Sequence, residues 1–343
     1  MKAAVLYGQE DLRIESVAVP HVGRGDLLVR VRAALTCGTD VKVFKRGYHA
    51  KMIVPPALFG HELAGDVVAA GSGVTRFRVG DRIVAANSAP CGVCFFCLRQ
   101  NENLCEDLLF NNGAYAEYIR IPARIVERNT YPIPAHVGYQ DAALSEPLAC
   151  VLRGLDETGI RCGDSVVIMG LGPIGLMFVR IAKVYGARVI ALGRRQSQLD
   201  RARHMGADEF VISAGDPELV IKRVHELTGG YGADVAIEAV GLPEAWETAV
   251  RLLRKGGVVN FFGGCPKDSR VQLDTSLIHY SEITCKASFH HTPAHIQKAL
   301  AMVSRGEIGS DDFINRVEPL DNLLSVLQHL MSHNGHMKTA IIP

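Results

Sequence analysis

The sequence predicts an α/β protein in two parts, a mostly β first part followed by a doubly wound parallel sheet. Three observations carry this reading. Up to about Pro147, short segments of alternating polarity such as Leu27–Arg32 and Ala116–Ile121 are punctuated by Gly and Pro. From about Cys162, compact apolar runs alternate with runs of helical spacing, which implies βαβ units. At the first of these junctions stands the glycine-rich turn Gly170-Leu171-Gly172-Pro173-Ile174-Gly175.

Taken in order, Ser165–Met169 reads as a buried strand, Leu176–Val184 as a helix, Arg188–Leu192 as the next strand and Gln196–Met205 as the next helix. The alternation continues through Pro217–Thr228 (helix), Val235–Glu238 (strand), Ala245–Leu253 (helix) and Val258–Gly263 (strand). It breaks up after about Phe289. The tail carries helical spacing at Ala294–Val303 and Leu320–His329 and a final strand at Lys338–Ile342, with no further βαβ unit, so it is expected to return to the first part. There is no internal repeat and no low-complexity tract.

The glycine-rich turn fits G-x-G-x-x-G, in which the glycines permit the tight turn, close approach of backbone to a pyrophosphate, and close packing of helix on strand. It follows an apolar strand and opens a helix, which sets a dinucleotide's phosphates at the positive end of a helix dipole. Sites selective for NAD carry an acid about 20 residues further on, at the end of the second strand. Here Leu192 is followed by Gly193-Arg194-Arg195. With no carboxylate to repel a 2′-phosphate and two guanidinium groups to pair with it, NADP(H) is expected over NAD(H). The alternative is that both arginines are solvated helix-start residues and either cofactor serves.

Composition excludes several classes. With 343 residues, 48% hydrophobic and 21% charged, the chain can bury two cores. Its 37 basic and 36 acidic residues leave a charge of +1 with no basic run, so neither nucleic acid nor a membrane surface is an expected partner. The most apolar stretch, Val166–Val179, is interrupted by Gly170, Gly172, Pro173 and Gly175 and is too short to span a bilayer. The first residues, MKAAVLYGQEDLRIE, lack the apolar core of a signal peptide, so a reducing, cytoplasmic setting is expected for the nine cysteines.

Four of those cysteines, Cys91, Cys94, Cys97 and Cys105, stand as C-x2-C-x2-C-x7-C. Four thiolates in one loop meet the tetrahedral demand of a structural Zn²⁺, and a pair of disulfides does not suit the compartment. Such a closed site leaves no coordination position open. Chemistry is therefore sought at Cys37, in Cys37-Gly38-Thr39-Asp40, and at His61-Glu62, in Gly60-His61-Glu62-Leu63-Ala64-Gly65. One thiolate, one imidazole and a carboxylate form a catalytic zinc set able to leave a position for substrate or water.

With these motifs in hand, the chain resembles the zinc-containing medium-chain dehydrogenase/reductase superfamily, in particular the alcohol, sorbitol and threonine dehydrogenases, over essentially its whole length. The pattern G-H-E-x2-G-x5-G-x2-V is met by Gly60 to Val74, the four-cysteine lobe follows, and the glycine-rich turn comes after Glu146-Pro147-Leu148. The resemblance implies a GroES-like β catalytic domain (1–150 and 290–343, with the zinc lobe at about 90–106) plus a Rossmann domain (151–289), and an active site in the cleft between.

By the same resemblance, Cys37 and His61 are inner ligands of a catalytic zinc, and Glu62 either ligates it or holds a bound water. Glu146 matches the carboxylate that sorbitol- and glucose-dehydrogenase relatives place at the metal, and is preferred to the nearby Cys150. Thr39 matches the family's hydroxyl relay, but the relay's next member, a histidine, is Lys42 here. That departure weakens the analogy with threonine dehydrogenase.

The implied reaction is zinc-dependent hydride transfer between an alcohol and a nicotinamide cofactor, the Glu146 type favouring a polyol, sugar or secondary alcohol over ethanol. Two zinc ions per chain and a homodimer or homotetramer are expected. Phe44, Tyr48 and Phe289-His290-His291 are candidates for the substrate pocket. Rival readings are oxidation of an amino alcohol, as in threonine dehydrogenases, and a noncatalytic NADPH-binding protein, which would tend to have lost Cys37, His61 or the acid ligand.

Overall fold

The computed structural model describes residues 1–49, 51–332 and 337–343 and divides into two units, residues 1–149 with 291–343, and residues 150–290. Among the described residues no helix is long and apolar enough to cross a membrane.

The first unit is built on a seven-stranded sheet. Its path runs Thr130–Pro132, Arg82–Ala85, Glu62–Ala70, Leu27–Leu35, Lys338–Ile342, Ile314–Pro319, and Tyr118–Ile121 also pairs with Leu27–Leu35. The strand Leu27–Leu35 is central because its sequence, LLVRVRAAL, is nearly all apolar and is buried except at Arg30 and Arg32. Its register places Leu35 opposite both Glu62 and Ala340. The residues just beyond that strand end therefore lie beside Glu62 and the start of the C-terminal strand, which explains why the tail returns here. Leu27, Val29, Phe59, Leu63, Tyr115, Leu323 and Ile341 are among the buried side chains of its core.

This unit is less purely β than its alternation suggested. It also holds the helices Gly38–Arg46, Ala123–Arg128, Tyr139–Ala143 and Ser145–Asp156, although the last runs on past Ala149 into the second unit. Cys37 starts the first of these as its N-cap: the Cys37 N–H donates to Asp40 Oδ2 at 2.9 Å, and Cys37 Sγ accepts from the Thr39 N–H at 3.4 Å. This reciprocal capping box satisfies donors that a helix start would otherwise leave orphaned.

The second unit is a six-stranded sheet whose neighbouring strands are all parallel. Counted along the unit, the strands Ser165–Met169, Arg188–Gly193, Glu209–Ile212, Ala233–Glu238, Leu253–Phe261 and Thr284–Ala287 take the order 3-2-1-4-5-6. That is the doubly wound dinucleotide-binding order, with its topological switch at the first strand. The third strand, EFVI, is apolar at three of its four positions but too short for a period to show in the sequence. The strands and helices expected between Ser165 and Gly263 lie within a few residues of their expected limits, while the helix Thr275–Tyr280 was not expected.

Candidate active site and cofactor turn

Three of the expected metal ligands come together in the first unit. Donor atoms of Cys37, His61 and Glu62 all lie within 4.8 Å of one another. Cys37 is brought there by its capping role, and His61-Glu62 by the start of the strand Glu62–Ala70. His61 is 4% exposed, and its Nδ1 faces Asp40 Oδ1 at 3.1 Å. Asp40 is held in turn by the Tyr115 hydroxyl, which donates to Oδ2 at 2.6 Å. A carboxylate on Nδ1 fixes the ring's tautomer and turns Nε2 outward as a donor to a metal, the usual outer support of a zinc-bound imidazole. Burial opposes charging of His61, but Asp40 and Cys37 together raise its pKa well above the ordinary value.

Glu62 is fully buried, and both its oxygens accept from Lys338 Nζ at 2.7 Å. Lys338 also donates to the Thr36 carbonyl at 3.0 Å. Burial pushes the Glu62 carboxyl up while Lys338 pulls it back, and burial works to discharge Lys338 while Glu62 raises it. Glu146, in the first turn of Ser145–Asp156, is 7% exposed. Burial pushes its pKa up to about 7, against the pull of His61.

Asp40, Glu62 and Glu146 are thus three buried carboxylates that interact with two buried basic groups, His61 and Lys338. A cluster of buried ionisable donors is costly unless its members are paired with one another or with a metal. Together with the Cys, His and carboxylate donor set, this fits a divalent zinc.

The remaining candidates divide. Thr39 is half-buried one residue into the Gly38–Arg46 helix, and Lys42 is exposed on it. Phe44 is 1% exposed and packs in the core, so it is not a pocket residue: the 3.6-residue helical period turns it inward with Val43. Tyr48 is exposed, as is Phe289. Cys150 lies one turn beyond Glu146 on the same helix. His291 is buried, with Nε2 at 3.0 Å from Asn87 Oδ1 and 3.6 Å from Glu146 Oε1.

In the cysteine lobe the sulfurs of Cys91, Cys94, Cys97 and Cys105 also lie within 4.8 Å of one another. Cys94 Sγ is 3.5 Å from Cys97 and 3.9 Å from Cys105, and Cys91 is 4.0 Å from Cys97. A tetrahedron with zinc–sulfur arms of about 2.3 Å has edges of about 3.8 Å, whereas a disulfide would need about 2.05 Å. Among the described residues no pair of cysteines forms a disulfide. The backbone N–H groups of Cys97 and Glu106 pull the Cys94 thiol down to about 6, while burial pushes Cys97 up to about 12. Four such sulfurs cannot all ionise without a cation among them, and a zinc supplies it.

In the second unit the three motif glycines do three different things. Gly170 has φ +92°, in the left-handed region, and a Cβ there would meet Val240 at 2.8 Å. A Cβ on Gly175 would meet the Gly170 carbonyl oxygen at 1.7 Å, so helix and strand touch backbone to backbone. A Cβ on Gly172 would project into open space at the start of the helix Pro173–Val184, which has no side-chain cap. That opening is where a pyrophosphate would use the helix's unpaired N–H groups. Pro173 and Ile174 form the first turn, and the first strand pair ends with Met169 opposite Leu192. Gly193 is buried; Arg194 and Arg195 are exposed, and neither side chain has an ion pair or hydrogen bond among the described residues.

Asp40, Lys338, Tyr115 and Asn87 were not assigned by sequence reasoning. Asp40 stood within the quoted Cys37-Gly38-Thr39-Asp40, where an acid three residues after a helix cap is an available signal. For Lys338 there was none, because 276 positions separate it from Glu62.

The comparisons with known proteins point the same way. The alcohol dehydrogenase GroES-like domain family matches residues 23–134, and the zinc-binding dehydrogenase family matches residues 173–305. A sorbitol dehydrogenase of Bombyx mori is 33% identical over 99% of this chain and 97% of its own. An L-threonine 3-dehydrogenase of Bacillus licheniformis is 35% identical over 76% of this chain and 75% of its own. Among solved structures, a zinc-binding dehydrogenase type protein of Sinorhizobium meliloti 1021, bound to NADP, superimposes with a TM-score of 0.89 at 32% identity, covering 100% of this chain and 99% of that one.

Proposed function

The chain belongs to the zinc-containing medium-chain dehydrogenase/reductase superfamily and is a zinc-dependent oxidoreductase of its alcohol and polyol dehydrogenase branch, and from that premise we propose that it oxidises a polyol, sugar or secondary alcohol with NADP⁺, reversibly. The observation that carries the reading is the Cys37, His61 and Glu62 cluster with Asp40 behind it.

Cys37, His61 and Glu146 would hold the catalytic zinc, and Glu62, paired with Lys338, would either join them as a ligand or hold a bound water. Cys91, Cys94, Cys97 and Cys105 would hold a structural one. When bound, the catalytic zinc is a Lewis acid that lowers the pKa of an alcohol oxygen or polarises a carbonyl. A bound nicotinamide would supply the redox chemistry as hydride acceptor or donor.

The chain's own groups supply the rest. Asp40 keeps the proton on His61 Nδ1, so the ring presents Nε2. The Thr39 hydroxyl, able to accept and donate, takes the proton that the substrate oxygen gives up. Oxidation thus releases one hydride to the cofactor and one proton through Thr39, and reduction reverses both. Lys42 does not continue a histidine relay, so the proton leaves Thr39 by another route. Gly170, Gly172, Pro173, Ile174 and Gly175 form the pyrophosphate turn, and Gly193, Arg194 and Arg195 receive the adenosine ribose and its 2′-phosphate. A homodimer or homotetramer joined through the strand edge Thr284–Ala287 is in keeping with that strand's full exposure.

The test is initial rates with NADP⁺ and NAD⁺ across polyols, aldoses, threonine and secondary alcohols, each repeated after chelation. Chelator-sensitive turnover of a polyol, sugar or secondary alcohol with NADP⁺ supports the reading. Threonine as the preferred substrate would transfer it to the amino alcohol branch, and zinc-loaded protein that turns nothing over would favour a noncatalytic role.

Two further results are expected. Exchanging Arg194 and Arg195 together for alanine should raise KM for NADP⁺ roughly 100-fold or more and leave KM for NAD⁺ within about threefold, since each lost charge-assisted hydrogen bond is worth about 1.5–3 kcal/mol. An equal change for both cofactors would remove the 2′-phosphate role. Exchanging Cys97 for serine should lower bound zinc from about two equivalents to about one, because a closed four-thiolate site does not tolerate losing a ligand. Metal analysis that still finds two would place the second ion elsewhere.

A further inference from the structure

We propose that His291 is a positioning residue that aims the Glu146 carboxylate at the catalytic metal, with Asn87 fixing the ring. The inference rests on Glu146 being a zinc ligand.

The three side chains come from separate parts of the first unit. Asn87 lies between the strands Arg82–Ala85 and Ser88–Ala89, Glu146 opens the helix Ser145–Asp156, and His291 immediately precedes Thr292, the N-cap of the helix Pro293–Ser304. They are 3%, 7% and 2% exposed respectively. Asn87 is itself pinned by its backbone, whose carbonyl accepts from the Asn111 N–H at 2.8 Å.

His291 Nε2 faces two oxygens. It lies 3.0 Å from the Asn87 amide oxygen, a full hydrogen bond, and 3.6 Å from Glu146 Oε1, too long for a good one. Both are acceptors, so Nε2 carries the proton. Asn87 takes the hydrogen bond and sets the ring plane, and the N–H dipole then lies alongside Oε1 without removing it from service as a ligand. A donor at hydrogen-bond distance would compete with the metal for that oxygen; one half an ångström further out orients the carboxylate and leaves the lone pair available. Loss of a group that orients a metal ligand from behind typically costs 10- to 100-fold in metal affinity or activity.

The test uses the zinc-loaded full chain with His291→Gln and His291→Asn, each alone and combined with Glu146→Gln. The glutamine amide reaches as far as Nε2 and the asparagine amide does not. Zinc affinity is measured by competition with a chromophoric chelator, with the ion retained by the cysteine lobe as internal reference and thermal midpoint as the check on folding. His291→Asn should weaken the catalytic site about 10-fold or more and lower kcat more than it raises KM, while His291→Gln should stay within about threefold of the native affinity. In the Glu146→Gln background the asparagine exchange should cost little more.

Three results would overturn the inference. Native zinc affinity in His291→Asn, with Glu146→Gln impaired, removes the positioning role and leaves the ligand assignment standing. An undiminished penalty in the Glu146→Gln background shows that His291 does not act through Glu146. Native affinity in Glu146→Gln itself removes the ligand assignment, and this inference with it.

Discussion

Exchanging Cys37 for serine should lower kcat/KM by on the order of 10³-fold or more while leaving the fold in place, because a Lewis-acid metal contributes several kcal/mol to the barrier and about 4 kcal/mol corresponds to that factor. Serine is the informative replacement. Cys37 has two roles, as a candidate metal ligand and as the N-cap whose sulfur accepts from the Thr39 N–H. A serine oxygen is a preferred N-cap acceptor, and the Cys37 N–H to Asp40 half of the capping box does not depend on the side chain. Compared as metal-free proteins, so that loss of zinc does not enter, the thermal midpoints should therefore differ by no more than about 3 °C, as expected for a change under about 1 kcal/mol in a chain of this size. Asp40 stays anchored by Tyr115, so His61 keeps its orientation. Steady-state rates beside a melting curve make the measurement. Near-native kcat/KM in the serine variant would take Cys37 out of the catalytic centre, and a large drop in the midpoint would show that the capping role had been underrated.

Local patterns made part of this protein legible in its sequence. The Gly170–Gly175 turn follows from steric demands within six residues: Gly170 has a left-handed φ and a Cβ on Gly175 would strike the Gly170 carbonyl oxygen. The parallel sheet follows from the apolar strands Ser165–Met169 and Arg188–Gly193, buried on both faces. The pairing of Lys338 with Glu62 is of another kind. It exists because the C-terminal strand lies antiparallel to Leu27–Leu35 in a register that sets Ala340 opposite Leu35. No spacing or period within either segment encodes that register. Lys338 at the head of a short apolar strand reads in sequence as a solvated end, and only the fold turns it inward to 3% exposure. Phe44 erred in the opposite direction: an aromatic near a metal motif suggested a pocket, whereas its helix turns it into the core.

The same register makes Lys338 the most consequential residue outside the proposed ligand set. Exchanging Lys338 for methionine should destabilise the zinc-loaded protein by roughly 3–5 kcal/mol, the cost of leaving a buried charge without its partner. Methionine keeps the length of the stem and removes only the cation. Glu62 then retains its charge with neither oxygen satisfied by Nζ, and the Thr36 carbonyl loses its donor as well. Adding Glu62→Gln should recover most of the loss, because the remaining amide is neutral and a buried pair replaced on both sides costs far less than one broken on one side. Denaturant unfolding of the native chain, both single variants and the double variant closes the cycle, with an expected coupling of at least about 2 kcal/mol between positions in direct contact. A loss below about 1 kcal/mol for the methionine variant would mean that another cation holds Glu62 when Lys338 is gone. In the zinc-loaded protein the metal is the candidate, and that outcome would place Glu62 on the zinc as an inner ligand and leave Lys338 as its competitor. The stability cycle thus decides between the two roles open to Glu62, because a carboxylate shared by a metal does not need the lysine to remain charged.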